Sequence, residues 1–307
     1  MTQSNNESNY LQCYGLSSAP FRLSPDPEFF FPSNTHIAAK EVLKYAIKNN
    51  EGFMVLSGRA GSGKTLLLRL LLNEMEEDKH SVLIINPVLT PAALLHQILL
   101  ELGLNLDAAT GEAALMAAFQ KTLLSLAAKN KDLLIIIDEA QNMPLATLEY
   151  LRMLSNIETN RKKLLQILLT GQPELDILLE DEKLAQLTQR IVVHEKLRPL
   201  SANETIEYVN YRLAKAGRGD IGLTWFAKRT LYNLTDGIPR LVNRLMDRTL
   251  LMACSDYDKK LSRKHIICAE ATLPKGYKKK KFFRLFSSFS YAVFFCSLIA
   301  VLIYYHD

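Results

Sequence analysis

The chain has 307 residues, 48% of them apolar and 22% charged, a balance that supports buried cores and excludes disorder as its general state. Its net charge of +5 is local: Lys275 to Arg284 holds six basic residues and no acidic one, leaving −1 for the rest, which removes the electrostatic argument for nucleic-acid binding by the body. Cys13, Cys254, Cys268 and Cys296 show no C-x-x-C or zinc spacing and are expected to be reduced and mostly buried.

Residues 1–12 are polar and asparagine-rich, an expected disordered lead-in with no apolar signal-peptide core. From Tyr14 to Phe31 prolines interrupt any helix and aromatics recur. This predicts an extended segment packed on a globular surface; bordering a nucleotide base is the sharper alternative. Ser33 or Asn34 caps a helix running to about Asn49, in which His36 is a surface or packing residue rather than a catalytic one.

The apolar run Gly52 to Ser57 then enters Gly58-Arg59-Ala60-Gly61-Ser62-Gly63-Lys64-Thr65, and a leucine-rich helix follows to Met75. Strand, glycine loop and helix with G-x-x-x-x-G-K-[ST] spacing make a phosphate-binding P-loop. Its glycines let backbone N–H groups turn onto a phosphate, and the new helix presents its positive end to the same anion. Lys64 reaches β- and γ-phosphates, and the Thr65 hydroxyl serves Mg²⁺.

Ser81 to Asn86 is a second strand, Thr90-Pro91 opens a helix closed by Gly103, and Gly111 to Ala128 is helical. Asp132 to Ile137 is an apolar strand, of the kind buried on both faces of a parallel sheet, and ends in Asp138-Glu139. That ending resembles the Walker B element of P-loop ATPases, with Asp138 holding Mg²⁺ through a water and Glu139 acting as general base. Pro144 to Ile157 is helical, Lys162-Lys163 a solvated end, and Leu164 to Leu169 a fourth strand ending in Thr170-Gly171-Gln172-Pro173. Thr170 and Gln172 are both placed to sense a γ-phosphate, and the sequence does not choose between them. Helices over Pro173 to Leu179 and Leu184 to Gln189 lead to Arg190 and a fifth strand, Ile191 to His194. Five strands alternating with helices predict an α/β, doubly wound parallel sheet with its ligand at the strands' carboxyl ends.

After Leu200 only helices follow. They begin at Ser201, at Thr224, at Gly237-Ile238-Pro239-Arg240 and at Ser262, and predict a small helical lid. Residues 285–305 carry no charge over 21 positions, about 30 Å as a helix, which predicts a transmembrane span. The preceding basic run fixes the body on the cytoplasmic side, with Lys278 to Lys281 facing anionic lipid.

A resemblance extends this reading. Tyr14-Gly15, Pro20-Phe21, Asp26-Pro27, Phe29-Phe30 and His36-Ala38 precede the P-loop, and Gly171-Gln172-Pro173-Glu174-Leu175, Gln189-Arg190-Ile191, Leu197-Arg198-Pro199-Leu200 and Gly237-Ile238-Pro239-Arg240 follow it. This pattern, over about Tyr14 to Leu273, resembles the AAA+ ATPases of the ExeA or general secretion pathway protein A type. The resemblance implies AAA+ strand order, ATP and Mg²⁺ as ligands, and a nucleotide-dependent homo-oligomer. It implies that Arg240 is the lid arginine that contacts the γ-phosphate, and that Arg190 is an arginine finger acting on a neighbouring subunit. Longer members continue into a periplasmic peptidoglycan-binding domain, expected to be absent here; shorter ones resemble the pilus-biogenesis protein MshM.

The expected organisation is a linker and leading helix (1–50), an ATPase core (51–198), a lid (199–273), a basic segment (274–284) and a membrane helix (285–305). The expected function is a single-pass ATPase of the bacterial inner membrane, its ATPase domain in the cytoplasm, acting with secretion or type IV pilus assembly proteins. The alternatives are a DNA-associated regulator resembling transposition ATPases, which the near-neutral body and the membrane helix count against, and a nucleotide-gated scaffold with little turnover.

Overall fold

The computed structural model describes residues 10–75, 79–107, 110–159, 162–256, 258 and 260–274. Lys278 to Lys281, Cys296 and the membrane helix expected at 285–305 lie outside them. Among the described residues no helix is long and apolar enough to cross a membrane.

Strands β1 (Phe53–Gly58), β2 (Lys79–Ile84) and β3 (Asp132–Ile137) come first in the chain. A short antiparallel hairpin of β4 (Glu158–Thr159) and β5 (Lys162–Lys163) follows, so the pair Lys162-Lys163, expected as a solvated end, forms a small strand with Lys163 exposed. Strands β6 (Leu165–Gly171) and β7 (Ile191–Leu197) complete a five-stranded sheet in the order β2-β3-β6-β1-β7. Every pair in it is parallel, as expected. Strand β7 runs to Leu197, three residues past its expected end at His194. It lies at the sheet edge, and its alternating partly exposed positions hide the apolar run that marks β1, β3 and β6.

The two-residue side-chain period sorts the core onto two faces. Phe53 and Val55 point toward α3 (Pro91–Glu101), α4 (Glu112–Ala128) and α5 (Leu145–Leu154). Met54 and Leu56 point toward α1 (Asn34–Lys48) and α2 (Lys64–Asn73). The short helices α6 (Pro173–Leu179) and α7 (Ala185–Thr188) lie between β6 and β7, separated by a 3-10 turn over Glu182–Leu184. The lid is α8 (Ala202–Lys215), α9 (Trp225–Thr235), α10 (Pro239–Ser255) and α11 (Arg263–Ala271).

The segment before α1 belongs to the lid. Tyr10, Tyr14, Leu16, Phe21 and Phe29 share one buried cluster with Leu213, Met246 and Leu250. The chain is already helical at residues 10–14, and the Tyr10 hydroxyl donates to Asp247 Oδ1 at 2.8 Å, so the expected disordered lead-in does not extend to residue 12. Arg212 lies over the Phe29 ring and donates to the Pro20 carbonyl. Packing is therefore what the aromatics of this segment do first. The cysteines depart from expectation: Cys13 and Cys268 are exposed and Cys254 half-buried.

The chain entering the lid is tied to the turn before α10. Leu200 N–H donates to the Gly237 carbonyl at 2.9 Å. Gly237 has φ +69°, and a Cβ there would collide with the Leu200 carbonyl oxygen, so the joint admits glycine alone.

Candidate nucleotide-binding site

Parallel register brings the carboxyl ends of β1, β3 and β6 together, with Ser57 opposite Gly171 and Ile137 opposite Leu169. The residues following these ends are the P-loop, Asp138-Glu139 and Gln172.

The P-loop is braced on two sides. Gly61 has φ +79°, and a Cβ on it would lie 2.5 Å from Arg240 Cβ; Gly63 has φ +106°, and a Cβ on it would lie 2.8 Å from His36 Nε2. On the lid side, Arg240 N–H donates to the Gly61 carbonyl at 3.2 Å, so the first turn of α10 sits directly on the loop. On the core side, buried His36 spans 2.9 Å from Nε2 to the Ser62 carbonyl and 2.6 Å from Nδ1 to Ser33 Oγ. A carbonyl only accepts, so Nε2 carries the proton and Nδ1 accepts from Ser33. The expected packing histidine thus packs against the phosphate loop itself.

Burial lowers the pKa of His36 below its ordinary 6.5, against the opposing effects of the Ser62 hydrogen bond and the Glu204 charge. The unfolded chain therefore takes up this proton first as pH falls. The stability His36 lends is present above about 6.5 and is lost as pH falls through the lowered folded value. Thermal melts between pH 7.5 and 5.5 are expected to show this loss, and His36→Gln should flatten that part of the profile. Identical pH profiles for the two proteins would contradict it.

Lys64 is buried, and its Nζ donates to the Gly58 carbonyl at 2.7 Å, within the loop. Burial lowers its pKa, partly countered by the charges of Glu139, Asp138 and Glu174. Asp138 Oδ1 accepts from Thr170 Oγ1 at 2.6 Å and from Glu139 N–H at 2.9 Å. Its other oxygen, Oδ2, faces Thr65 Oγ1 at 3.4 Å. A hydroxyl and a carboxylate oxygen facing each other beside a phosphate loop fit Mg²⁺, which prefers hard oxygen ligands. Thr65 and Asp138 are the residues that would hold it.

Glu139 adopts φ +54° and ψ 37°, a left-handed conformation costing a non-glycine residue about 1–3 kcal/mol. Its side chain is held in compensation: Oε2 accepts from Gln141 Nε2 at 2.6 Å and from Gln172 Nε2 at 3.0 Å. The two glutamines also pair, Gln172 N–H donating to Gln141 Oε1 at 3.0 Å. Burial pushes the Glu139 carboxyl up, but the bonds from Gln172 and Gln141 and the Lys64 charge outweigh it and hold it below the ordinary glutamate value. Glu139 is thus an oriented carboxylate at neutral pH. The structure separates the two residues the sequence left unresolved: buried Thr170 positions Asp138, and Gln172 positions Glu139.

Arg190 stands apart. It immediately precedes β7, where Ile191 is level with Phe53 at the beginning of β1, and its Nη1 donates to Ser155 Oγ at 3.0 Å. That is the opposite end of the sheet from Gly58, about 17–20 Å along a strand of this length. It lies outside the site of its own chain, whereas Arg59, 3.9 Å from Asp236, lies on the site's rim.

Three residues escaped the sequence reading. Gln141 was visible only as the residue two beyond Glu139. His36 showed no sign of its contact with the loop. Asp176 on α6 accepts from Ser57 Oγ at 3.1 Å, and from His194 and Lys196 on β7 at 2.7 and 3.0 Å, locking α6 against the strand that feeds the P-loop.

A family model described as an AAA domain matches residues 47–179. The chain is 40% identical over 244 residues to general secretion pathway protein A of Aeromonas hydrophila, covering 80% of this chain and 45% of that protein. It therefore spans less than half the length of that relative. Among solved structures it is similar to Cdc6p of Pyrobaculum aerophilum (TM-score 0.62, 16% identity, covering 81% of this chain and 69% of that one). It is also similar to the ORC1 protein of Aeropyrum pernix in complex with DNA (TM-score 0.61, 18% identity, covering 82% and 68%). At these identities the structures establish the fold alone.

Proposed function

We propose that the chain is an AAA ATPase related to general secretion pathway protein A and that it hydrolyses Mg-ATP in sites shared between copies of itself. We infer further that turnover drives or regulates assembly of a secretion or type IV pilus machine at the bacterial inner membrane. The observation that carries the chemistry is Glu139, an ionised carboxylate fixed by two glutamine amides one residue beyond Asp138.

The chain's own groups then divide the work. Backbone N–H groups of the P-loop, from Arg59 to Thr65, and the Lys64 ammonium bind the phosphates. Thr65 and Asp138 would hold Mg²⁺, which would supply neutralisation of phosphate charge there. Glu139 accepts a proton from the attacking water as the water's oxygen bonds to the γ-phosphorus; the bond to the β-phosphate oxygen breaks and ADP departs. Gln141 and Gln172 hold Glu139 in line, and Gln172, with its partly exposed amide, is the better placed of the two candidates to respond to the γ-phosphate. Arg240, seated on Gly61, couples phosphate contact to lid position. An apolar recess beside Gly63, bounded by Phe30, Leu66, Leu200, Tyr208 and Pro239, suits a purine base. Residues 285–305 serve as the membrane anchor and Lys278 to Lys281 as its anionic-lipid contact. The core near 51–198 and the lid near 199–273 act as the two jaws.

Arg190 is too far from its own P-loop to act there, which favours action on a neighbour. Complementation tests this. Arg190→Ala keeps an intact nucleotide site, and Lys64→Ala keeps an intact finger. Each alone should turn over slowly, and mixing them should restore hydrolysis well above the sum of the two. Strictly additive rates would refute the shared site. Used as bait from detergent-solubilised membranes, the Glu139→Gln chain with ATP should retain envelope-assembly proteins; recovery of nucleoid proteins instead would favour the DNA-associated reading.

A further inference from the structure

We propose that an acidic turn of one copy, Glu180-Asp181-Glu182, docks in an arginine-lined cleft on the lid of the next copy. The cleft is thereby a second contact that sets subunit spacing around each nucleotide. This rests on the shared-site reading above and extends it to residues that reading does not use.

The cleft has a volume of about 620 Å³ and lies between the N-terminal segment and α10. Arg240, Arg244 and Arg248 line it from one face of α10, four residues apart, and Arg22 lines it from the segment opposite. Arg240 marks the end at the P-loop; Arg248 lies about 12 Å further along the helix. Asp247 is the one acidic residue among the lining, and it already accepts from the Tyr10 hydroxyl. Among the described residues Arg22, Arg240 and Arg248 form no ion pair. The guanidinium groups of Arg22, Arg240 and Arg248 along one cleft favour an anion of matching extent.

This chain carries such an anion. Glu180, Asp181 and Glu182 are consecutive and exposed, with Lys183 the one basic neighbour, and neither glutamate has an ion-pair partner among the described residues. The turn is rigid: Asp181 Oδ1 accepts from Lys183 N–H at 2.9 Å, and Leu179 and Leu184 on either side are buried. It is also tied to the finger. Thr188 Oγ1 donates to the Leu179 carbonyl at 2.7 Å, and Arg190 N–H donates to the Leu187 carbonyl at 2.9 Å, closing residues 179–190 into one corner. A copy that presents Arg190 to a neighbour's phosphate therefore brings its acidic turn to the same neighbour. There the arginine row leads away from the phosphate site at Arg240. Opposite charge at both ends of one corner, finger to phosphate and turn to cleft, fixes the relative orientation of two copies.

Charge exchange tests the contact on the full-length chain in non-ionic detergent with ATP and Mg²⁺, following mass by light scattering across protein concentration. Arg22→Glu with Arg248→Glu should raise the dissociation midpoint at least tenfold. Adding Glu180→Lys and Glu182→Lys to that variant should bring the midpoint back toward wild type. The neutral pair Arg22→Gln with Arg248→Gln should fall between, and all variants should bind ATP as monomers with unchanged affinity, which verifies folding. Assembly unaffected by the charge reversal, or reversal without rescue by the swap, overturns the contact while leaving the shared site standing. A wild-type chain that stays single at every concentration overturns both.

Discussion

Lys64→Ala is expected to abolish nucleotide binding, or to lower turnover by two orders of magnitude or more. The Lys64 ammonium is buried against the Gly58 carbonyl at 2.7 Å, within the loop. Removing one preorganised group that meets transition-state charge costs roughly 10²–10³ in rate, and this residue also contributes to ground-state binding. The fold should survive, because the substitution deletes one hydrogen bond worth about 1 kcal/mol and leaves the braces at His36 and Arg240 in place. Titration with a fluorescent ATP analogue, phosphate release and a thermal melt distinguish these terms. Normal turnover would remove the P-loop assignment, and a collapsed melting temperature would show that Lys64 holds the loop rather than the phosphate.

Glu139→Gln separates binding from chemistry. The amide replaces the carboxylate at nearly equal volume and keeps an oxygen able to accept from Gln141 and Gln172. The left-handed backbone at Glu139 is unaffected. What is lost is the negative charge and the capacity to take a proton, effects worth roughly 10²–10⁴ in rate. ATP affinity should remain close to wild type, since Lys64, Thr65 and Asp138 are untouched. The variant should therefore accumulate in its ATP-bound, assembled form.

The ATPase core was readable from sequence because each piece obeys a local rule. The P-loop is contiguous, its glycines answer to φ values of +79° and +106°, and β3 is an unbroken apolar run. The Walker carboxylates follow that run directly. Contacts across long sequence separation were not readable. His36 meets Ser62 from 26 residues away, Asp138 meets Thr170 from 32, and Asp176 meets Ser57 from 119. Each of these pairings joins separate elements, so nothing local marks which residues meet. Strand β7 extends past His194 because an edge strand alternates polar and apolar positions, so Glu195 and Lys196 carry no apolar signal. The N-terminal segment packs as its aromatics predict, but the partners lie some 200 residues away in the lid, which nothing in the segment indicates. Thr170 lies within β6 and Gln172 just beyond its end, and nothing in the sequence marks that the first meets Asp138 and the second Glu139.

The central claim is that Glu139 turns a nucleotide-binding loop into an ATPase. Single-turnover conversion of pre-bound radiolabelled ATP, measured side by side on the wild-type chain and on Glu139→Gln, tests it most directly. The account predicts that both proteins bind the label in the presence of Mg²⁺. It predicts that wild type converts the label to ADP and phosphate, and that the variant does so at least about a hundredfold more slowly. Equal rates of conversion in the two proteins would contradict it.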